Sequence, residues 1–283
     1  MQFWFRFFSG WPLWALHALG HALGWLAWLL SPVYRRRFLQ NARQAGLGWA
    51  QFWPAIGHAG AMSTELPRLW FGRPVPVQWA DDRAAVQAYA SGQGVIFLTP
   101  HLGCFEVTAQ ALAERFASVH GPLTVLYRPA RRPGLAEVML SARNRPGLEA
   151  VPTTLAGVRQ MIKALRRGEA VGLLPDQVPP EGLGVWSPVF GKPAYTMTLA
   201  ARLALQTGAT VLLVRCEREP MGRGFVMYAE PLPQPLDADL ETAVRQVNEA
   251  MEHVIRQCPG QYLWGYGRYK QPRAEAPAAE ASS

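Results

Sequence analysis

From residue 7 to residue 30 the chain runs FFSGWPLWALHALGHALGWLAWLL without one charged side chain at neutral pH. About 20 predominantly apolar residues suffice to span a bilayer, although His17, His21 and several glycines interrupt the run. Arg35, Arg36, Arg37 and Arg43 follow it and Arg6 precedes it, a bias that leaves the body of the protein in the cytoplasm. A helix lying in one leaflet is the alternative. A cleaved signal peptide is disfavoured by the weakly basic start and by the arginines directly after the run. Residues 41–76 read as mixed and helical, with Trp49, Phe52, Trp53, Ile56, Leu66, Leu69, Trp70 and Phe71 as apolar anchors and with His58 and Glu65 as packing or surface positions. Residues 81–91 form a short surface helix.

The pattern then alternates between strands and helices. Val95 to Leu98, bounded by Gly94 and Pro100, is a short buried strand, and Phe105, Ala109, Leu112 and Phe116 recur at helical spacing after it. Residues 123–127, 171–174, 209–214 and 225–229 are further strands, the last nearer an edge. Helices are expected over 134–144, over 155–165 with Gly168 at its end, from Thr196 as N-cap to Gly208, and from Leu240 to Val254. Residues 178–193 are a Pro- and Gly-rich loop, and the tail, 271–283, is disordered by composition. The implied fold is α/β, a single mixed, largely parallel sheet flanked by helices, with an N-terminal membrane anchor helix. The divisions are 1–40 (anchor and basic flank), 41–270 (one domain) and 271–283 (tail). If the strands ending at Leu98 and Leu174 are parallel neighbours, His101 and Asp176 emerge at the same sheet edge, where ligands bind in open α/β sheets.

Composition sharpens this picture. Only 17% of residues are charged while 49% are hydrophobic, and the net charge is +8, which implies an acidic partner: nucleic acid, an anionic membrane or an acidic carrier protein. Three cysteines without metal-site spacing or disulfide density fit a reducing compartment. Neither GxSxG nor GxxxxGK[ST] occurs, which argues against a serine hydrolase or a P-loop enzyme. The histidines and acids form no metal set at ligand spacing.

His101 and Glu106 read as a general base and its orienting carboxylate. The backbone N–H groups of Gly103 and Cys104, at the start of the next helix, could meet an oxyanion. Cys104 as a thiol nucleophile is the lesser alternative. The competing structural readings are a helix-capping histidine at 101, a turn aspartate at 176, and ordinary solvated charge at Arg128 and Arg143.

The stretch His101-Leu-Gly-Cys-Phe-Glu106 resembles the HxxxxE/D motif of glycerolipid-type acyltransferases. Several further blocks follow in order: Tyr127-Arg-Pro129, Arg143, Lys163-Ala-Leu-Arg-Arg-Gly168, Leu174-Pro-Asp-Gln177, Phe190-Gly-Lys-Pro-Ala194, Gln261-Tyr-Leu-Trp264 and Arg268-Tyr-Lys270. Together they resemble the late acyltransferases of lipid A biosynthesis over nearly the whole chain. The resemblance implies a bacterial inner-membrane enzyme facing the cytoplasm. It would move an acyl chain from acyl carrier protein to a hydroxyl of a lipid A precursor, without metal or organic cofactor and without nucleic acid. It implies catalytic roles for His101, Glu106, Arg143 and Asp176, with Arg143 stabilising negative charge. Arg128, Gln177, Lys192 and Gly103 would contact substrate. Another membrane lipid, such as an ornithine lipid or a glycolipid, is the alternative acceptor, and a membrane-anchored lipid-binding protein with a structural His101 is the non-catalytic alternative.

Overall fold

A computed structural model describes residues 2–127 and 145–273. Two helices open the chain, α1 (Gln2–Ser9) and α2 (Leu13–Leu30). α2 is the one helix among the described residues that is long and apolar enough to cross a membrane. Its residues Leu13, Leu16, His17, Gly20 and Gly24 recur every three to four positions and are buried. They seat α2 against α5 (Pro54–Thr64) at a separation that only glycine permits. A Cβ on Gly20 would stand 2.4 Å from the Ala61 Cα, and one on Gly24 would stand 2.2 Å from the Ile56 carbonyl oxygen. The opposite face, with Trp14, Leu23, Leu26, Leu29 and Leu30, is exposed. α3 (Pro32–Gln44) follows, capped by the Ser31 side chain, which accepts from the Tyr34 N–H. α4 (Trp49–Phe52) and α6 (Leu66–Phe71) flank α5.

The body is a seven-stranded sheet. In chain order its strands are β1 (Val77–Asp81), β2 (Val95–Leu98), β3 (Leu123–Tyr127), β4 (Leu148–Pro152), β5 (Ala170–Leu173), β8 (Thr210–Arg218) and β9 (Phe225–Pro231), arranged β1-β9-β8-β2-β5-β3-β4. β8, β2, β5, β3 and β4 are parallel, and β9 runs antiparallel to β8 with β1 parallel to β9. The mixed, largely parallel sheet is therefore as expected. β1 and β4 at its two edges carry too little unbroken apolar sequence to be read as strands.

Because side chains alternate along a strand, β2 feeds two cores. Val95 and Phe97 join α7 (Arg83–Ala90) and α8 (Phe105–His120) on one face. Ile96 and Leu98 join α9 (Leu155–Arg166), α10 (Leu199–Thr207) and α11 (Leu240–Gln257) on the other. Burial of β2 on both faces explains its continuous apolar run.

Two expectations change. Residues 178–193 are not all loop, because β6 (Gly184–Val189) and β7 (Lys192–Met197) form an antiparallel hairpin. It turns at Phe190 and Gly191, with φ of 48° and 73°, the pair of positive values that a two-residue hairpin turn requires. Thr196 consequently lies within β7, and Thr198 is the residue that precedes α10. The expected helix over 134–144 and most of the expected tail lie outside the described residues.

Candidate functional site

β2 and β5 lie side by side in parallel register, with Leu98 opposite Leu173 and the Thr99 N–H donating to the Leu173 carbonyl at 3.1 Å. Each strand then meets a proline and turns out of the sheet. Pro100-His101 and Pro175-Asp176 leave the same edge together, as the repeated apolar-proline-ionisable pattern implied.

The two side chains meet. Asp176 Oδ1 is 2.7 Å from His101 Nδ1, and Asp176 Oδ2 accepts from the His101 backbone N–H at 2.8 Å. One carboxylate thus fixes both the ring and the chain that carries it. Burial pushes the Asp176 carboxyl up, but the attraction and hydrogen bonds from His101, with Arg268 beyond, outweigh it and leave the group below its ordinary value. An ionised Asp176 is acceptor-only, so Nδ1 carries a proton toward it, and Nε2 is the nitrogen left to meet other groups. The Gln177 side-chain nitrogen lies 3.0 Å from Nε2 and donates to it. The His101 side chain remains 16% exposed against 6% for Asp176, so the imidazole is the more accessible member of the pair.

Glu106 was expected as the partner of His101. Among the described residues, the carboxylate within bonding distance of the ring is Asp176 instead. Glu106 accepts from Trp70 Nε1 at 3.4 Å and faces α6. The reason is helical geometry. Phe105, the first residue of α8, packs its ring 5.0 Å from the His101 ring, and the next residue points about 100° further round the helix. Glu106 also acts electrostatically on Arg145, whose guanidinium donates to the Leu69 and Trp70 carbonyls and to Gln110.

The expected oxyanion amides are committed elsewhere. The Gly103 N–H donates to the Gln261 carbonyl at 3.0 Å and the Cys104 N–H to the Cys216 carbonyl at 2.8 Å. Gly103 serves the fold: its φ is +56°, and a Cβ there would stand 1.9 Å from the Cys216 oxygen. Burial pushes the Cys104 thiol well up, with the Glu65 charge adding to it, so it is no thiolate nucleophile. Lys192 lies at the hairpin turn and lines a separate basic cleft with Arg37, Arg43 and Lys270. Arg128 and Arg143 lie outside the described residues.

A second polar cluster escaped the sequence reading. Arg218, near the end of β8, makes two bonds to Glu65, one of them 2.8 Å, and His17 Nε2 lies 2.9 Å from the same carboxylate. Glu65 is fully buried. The signal was available, because Glu65 is the only acidic residue in the first 80.

The lauroyltransferase of lipid A biosynthesis from Escherichia coli K12 is 29% identical over 222 residues, covering 75% of this chain and 68% of the relative. The palmitoleoyltransferase of lipid A biosynthesis from the same organism is 25% identical, covering 82% and 70%. The phosphatidylinositol mannoside acyltransferase of Mycobacterium tuberculosis is 28% identical over 145 residues, covering 50% and 44%. The family profile described as bacterial lipid A biosynthesis acyltransferase matches residues 50–271, a span that holds His101, Glu106, Asp176, Gln177 and the strands that carry them. This chain belongs to the bacterial lipid A biosynthesis acyltransferase family.

Proposed function

We propose that the protein transfers a fatty acyl chain from an acyl carrier protein thioester to a hydroxyl of a lipid A precursor at the cytoplasmic face of the bacterial inner membrane. The observation that carries the reading is the His101–Asp176 pair, placed at the end of parallel strands with Nδ1 held by the carboxylate and Nε2 at the Gln177 amide, within a chain of this family. In this reading His101 Nε2 takes the proton of the acceptor hydroxyl as its oxygen attacks the thioester carbonyl. Asp176 stabilises the imidazolium and holds the ring. Collapse of the tetrahedral intermediate expels the carrier thiolate, which takes the proton back from His101. Gln177 yields the Nε2 lone pair to the hydroxyl when the acceptor binds. Glu106 contributes from the α6 side, and Arg143 stabilises negative charge, the role implied by resemblance. The reaction draws on no metal or organic cofactor.

The exposed apolar face of α2, continued by Phe3, Trp4 and Phe7 of α1 and followed by the Arg35–Arg37 run, supports membrane association. The mannoside acyltransferase relative favours a second reading, in which the acceptor is a different glycolipid.

Purified protein incubated with acyl carrier protein thioester and a lipid A precursor in micelles is expected to add one acyl chain by mass spectrometry. His101→Ala is expected to abolish the gain with the fold intact by circular dichroism. Full activity in that variant would leave a non-catalytic His101, and no gain on lipid A alongside acylation of another glycolipid would move the acceptor to the second reading.

A further inference from the structure

The cleft that gathers Lys192 is not explained by acyl transfer at His101. It measures about 620 Å³ and is lined by Arg37 and Arg43 of α3, Lys192 of the hairpin, and Lys270. Among the described residues no carboxylate lines it, and none of these four side chains has an ion-pair partner there. Two of the cations are held without being neutralised. Lys192 Nζ sits 4.7 Å over the Tyr269 ring, and Lys270 Nζ sits 4.8 Å over the Tyr266 ring. Like charges gathered on one concavity repel one another, and a bound anion would relieve that repulsion.

The floor of the cleft is preformed. Asn41 Nδ2 donates to the carbonyls of Trp264 and Tyr266 at 2.7 and 2.8 Å, and buried Arg268 donates to the Tyr195 carbonyl at 2.7 Å. The same segment reaches the catalytic edge. The Leu263 N–H donates to the His101 carbonyl at 3.1 Å, and the Val178 N–H donates to the Tyr266 hydroxyl at 3.0 Å. Gly267, at the rim, is four residues beyond Leu263, at most about 14 Å of extended chain.

On its other side the cleft adjoins apolar surface. Val33 is 67% exposed and stands one helical turn before Arg37 on α3, three residues after exposed Leu30 at the end of α2. Cations beside exposed hydrocarbon side chains suit an amphiphile with an anionic head. The volume lies within the range of small-molecule sites and suits a phosphosugar, whereas a rigid acidic protein surface would engage a broader, flatter face.

We propose that this cleft binds a phosphate group on the sugar headgroup of the acceptor lipid, and so sets which hydroxyl reaches His101. The proposal rests on the acceptor reading above and adds its anchoring site. Arg37 and Lys270 then determine acceptor affinity without touching the reacting atoms.

The test pairs kinetics with direct binding on the full chain, using Arg37→Ser, Lys270→Ser and the double variant, with Lys270→Arg as the conservative control. The KM for a diphosphorylated glycolipid acceptor is expected to rise about tenfold for each cation removed. The KM for the acyl donor, and transfer to the same lipid stripped of phosphate, are expected to stay unchanged. Calorimetry with a water-soluble, unacylated phosphorylated disaccharide is expected to show binding to the wild type and to Lys270→Arg, and none to the double variant. Equal binding by wild type and double variant, or no binding by the wild type, would overturn the proposal. A change confined to the donor KM would overturn it too, by assigning the surface to the acidic carrier protein. Absence of acyl transfer by the wild type to any glycolipid would remove the acceptor reading while the calorimetric result still decides whether the cleft takes phosphate.

Discussion

Two of the histidine–carboxylate pairs among the described residues are of nearly equal length, 2.7 Å at His101–Asp176 and 2.9 Å at His17–Glu65, and they do different things. At the sheet edge the carboxylate has one imidazole to serve, and the far ring nitrogen meets the neutral Gln177 amide. In the interior, Arg218 already neutralises Glu65 through two bonds, and both ion-pair side chains are 1% exposed. The first pair can pass a proton to something that arrives. The second ties α2 to the end of β8. Separation alone does not distinguish a base from a brace; prior neutralisation of the acid does.

The largest break in the comparison should come from Asp176→Asn. It keeps the shape of the side chain but removes the charge that supports an imidazolium, and the acyl transfer rate is expected to fall roughly a thousandfold with little change in melting temperature. A rate within threefold of wild type would show that the ring needs no anion.

Glu65→Gln and Arg218→Met should do the reverse. Each leaves a buried group without its counterpart and is expected to cost about 3–5 kcal/mol of stability, read as a lowered denaturant midpoint, while the folded fraction keeps its turnover.

Acid sharpens the contrast further. His58 is held down to about 3 by burial and by the Arg218 charge, and Glu65, in spite of its burial, is held down to about 2 by Arg218 and His17. Both groups bind protons more readily in the unfolded chain. Stability should therefore fall as pH drops from about 6.5 toward 3 through His58, and from about 4.5 toward 2 through Glu65. His58→Leu is expected to flatten the slope between pH 6.5 and 4.5 in denaturant titrations, and an unchanged slope would exclude His58 as its source.

The smallest effect belongs to Gln177→Ala. It removes one hydrogen bond to Nε2 and is expected to change kcat/KM by no more than about tenfold, with the melting temperature unmoved.

The edge that carries the candidate site was legible because parallel-sheet strands advertise themselves. Val95–Leu98 and Ala170–Leu173 are uninterrupted apolar runs ending in proline, so the neighbourhood of His101 and Asp176 followed from the pattern. Which acid meets the ring did not follow. Glu106 is nearer in sequence, yet its direction is set by its place on α8, and the separation of 75 positions between His101 and Asp176 is spanned by sheet pairing. The oxyanion expectation for Gly103 and Cys104 failed because their carbonyl partners, on Gln261 and Cys216, lie more than a hundred residues away. The hairpin of residues 184–197 was hidden by its prolines and glycines, which read as loop until the cross-strand pairing is seen.

The glycine contacts between α2 and α5 carry a consequence for anything built from this chain. Hydropathy would score the first 30 residues as a transplantable address label, replaceable by any apolar segment of equal length. Gly20 and Gly24 forbid that exchange, because a leucine-rich substitute would thrust branched carbon into a gap already filled by the Ala61 and Ile56 backbone. It would also delete the His17 bond to Glu65. Such a chimera would reach a bilayer and still lack a properly assembled enzyme, since in this protein the apparent leash is one of the walls.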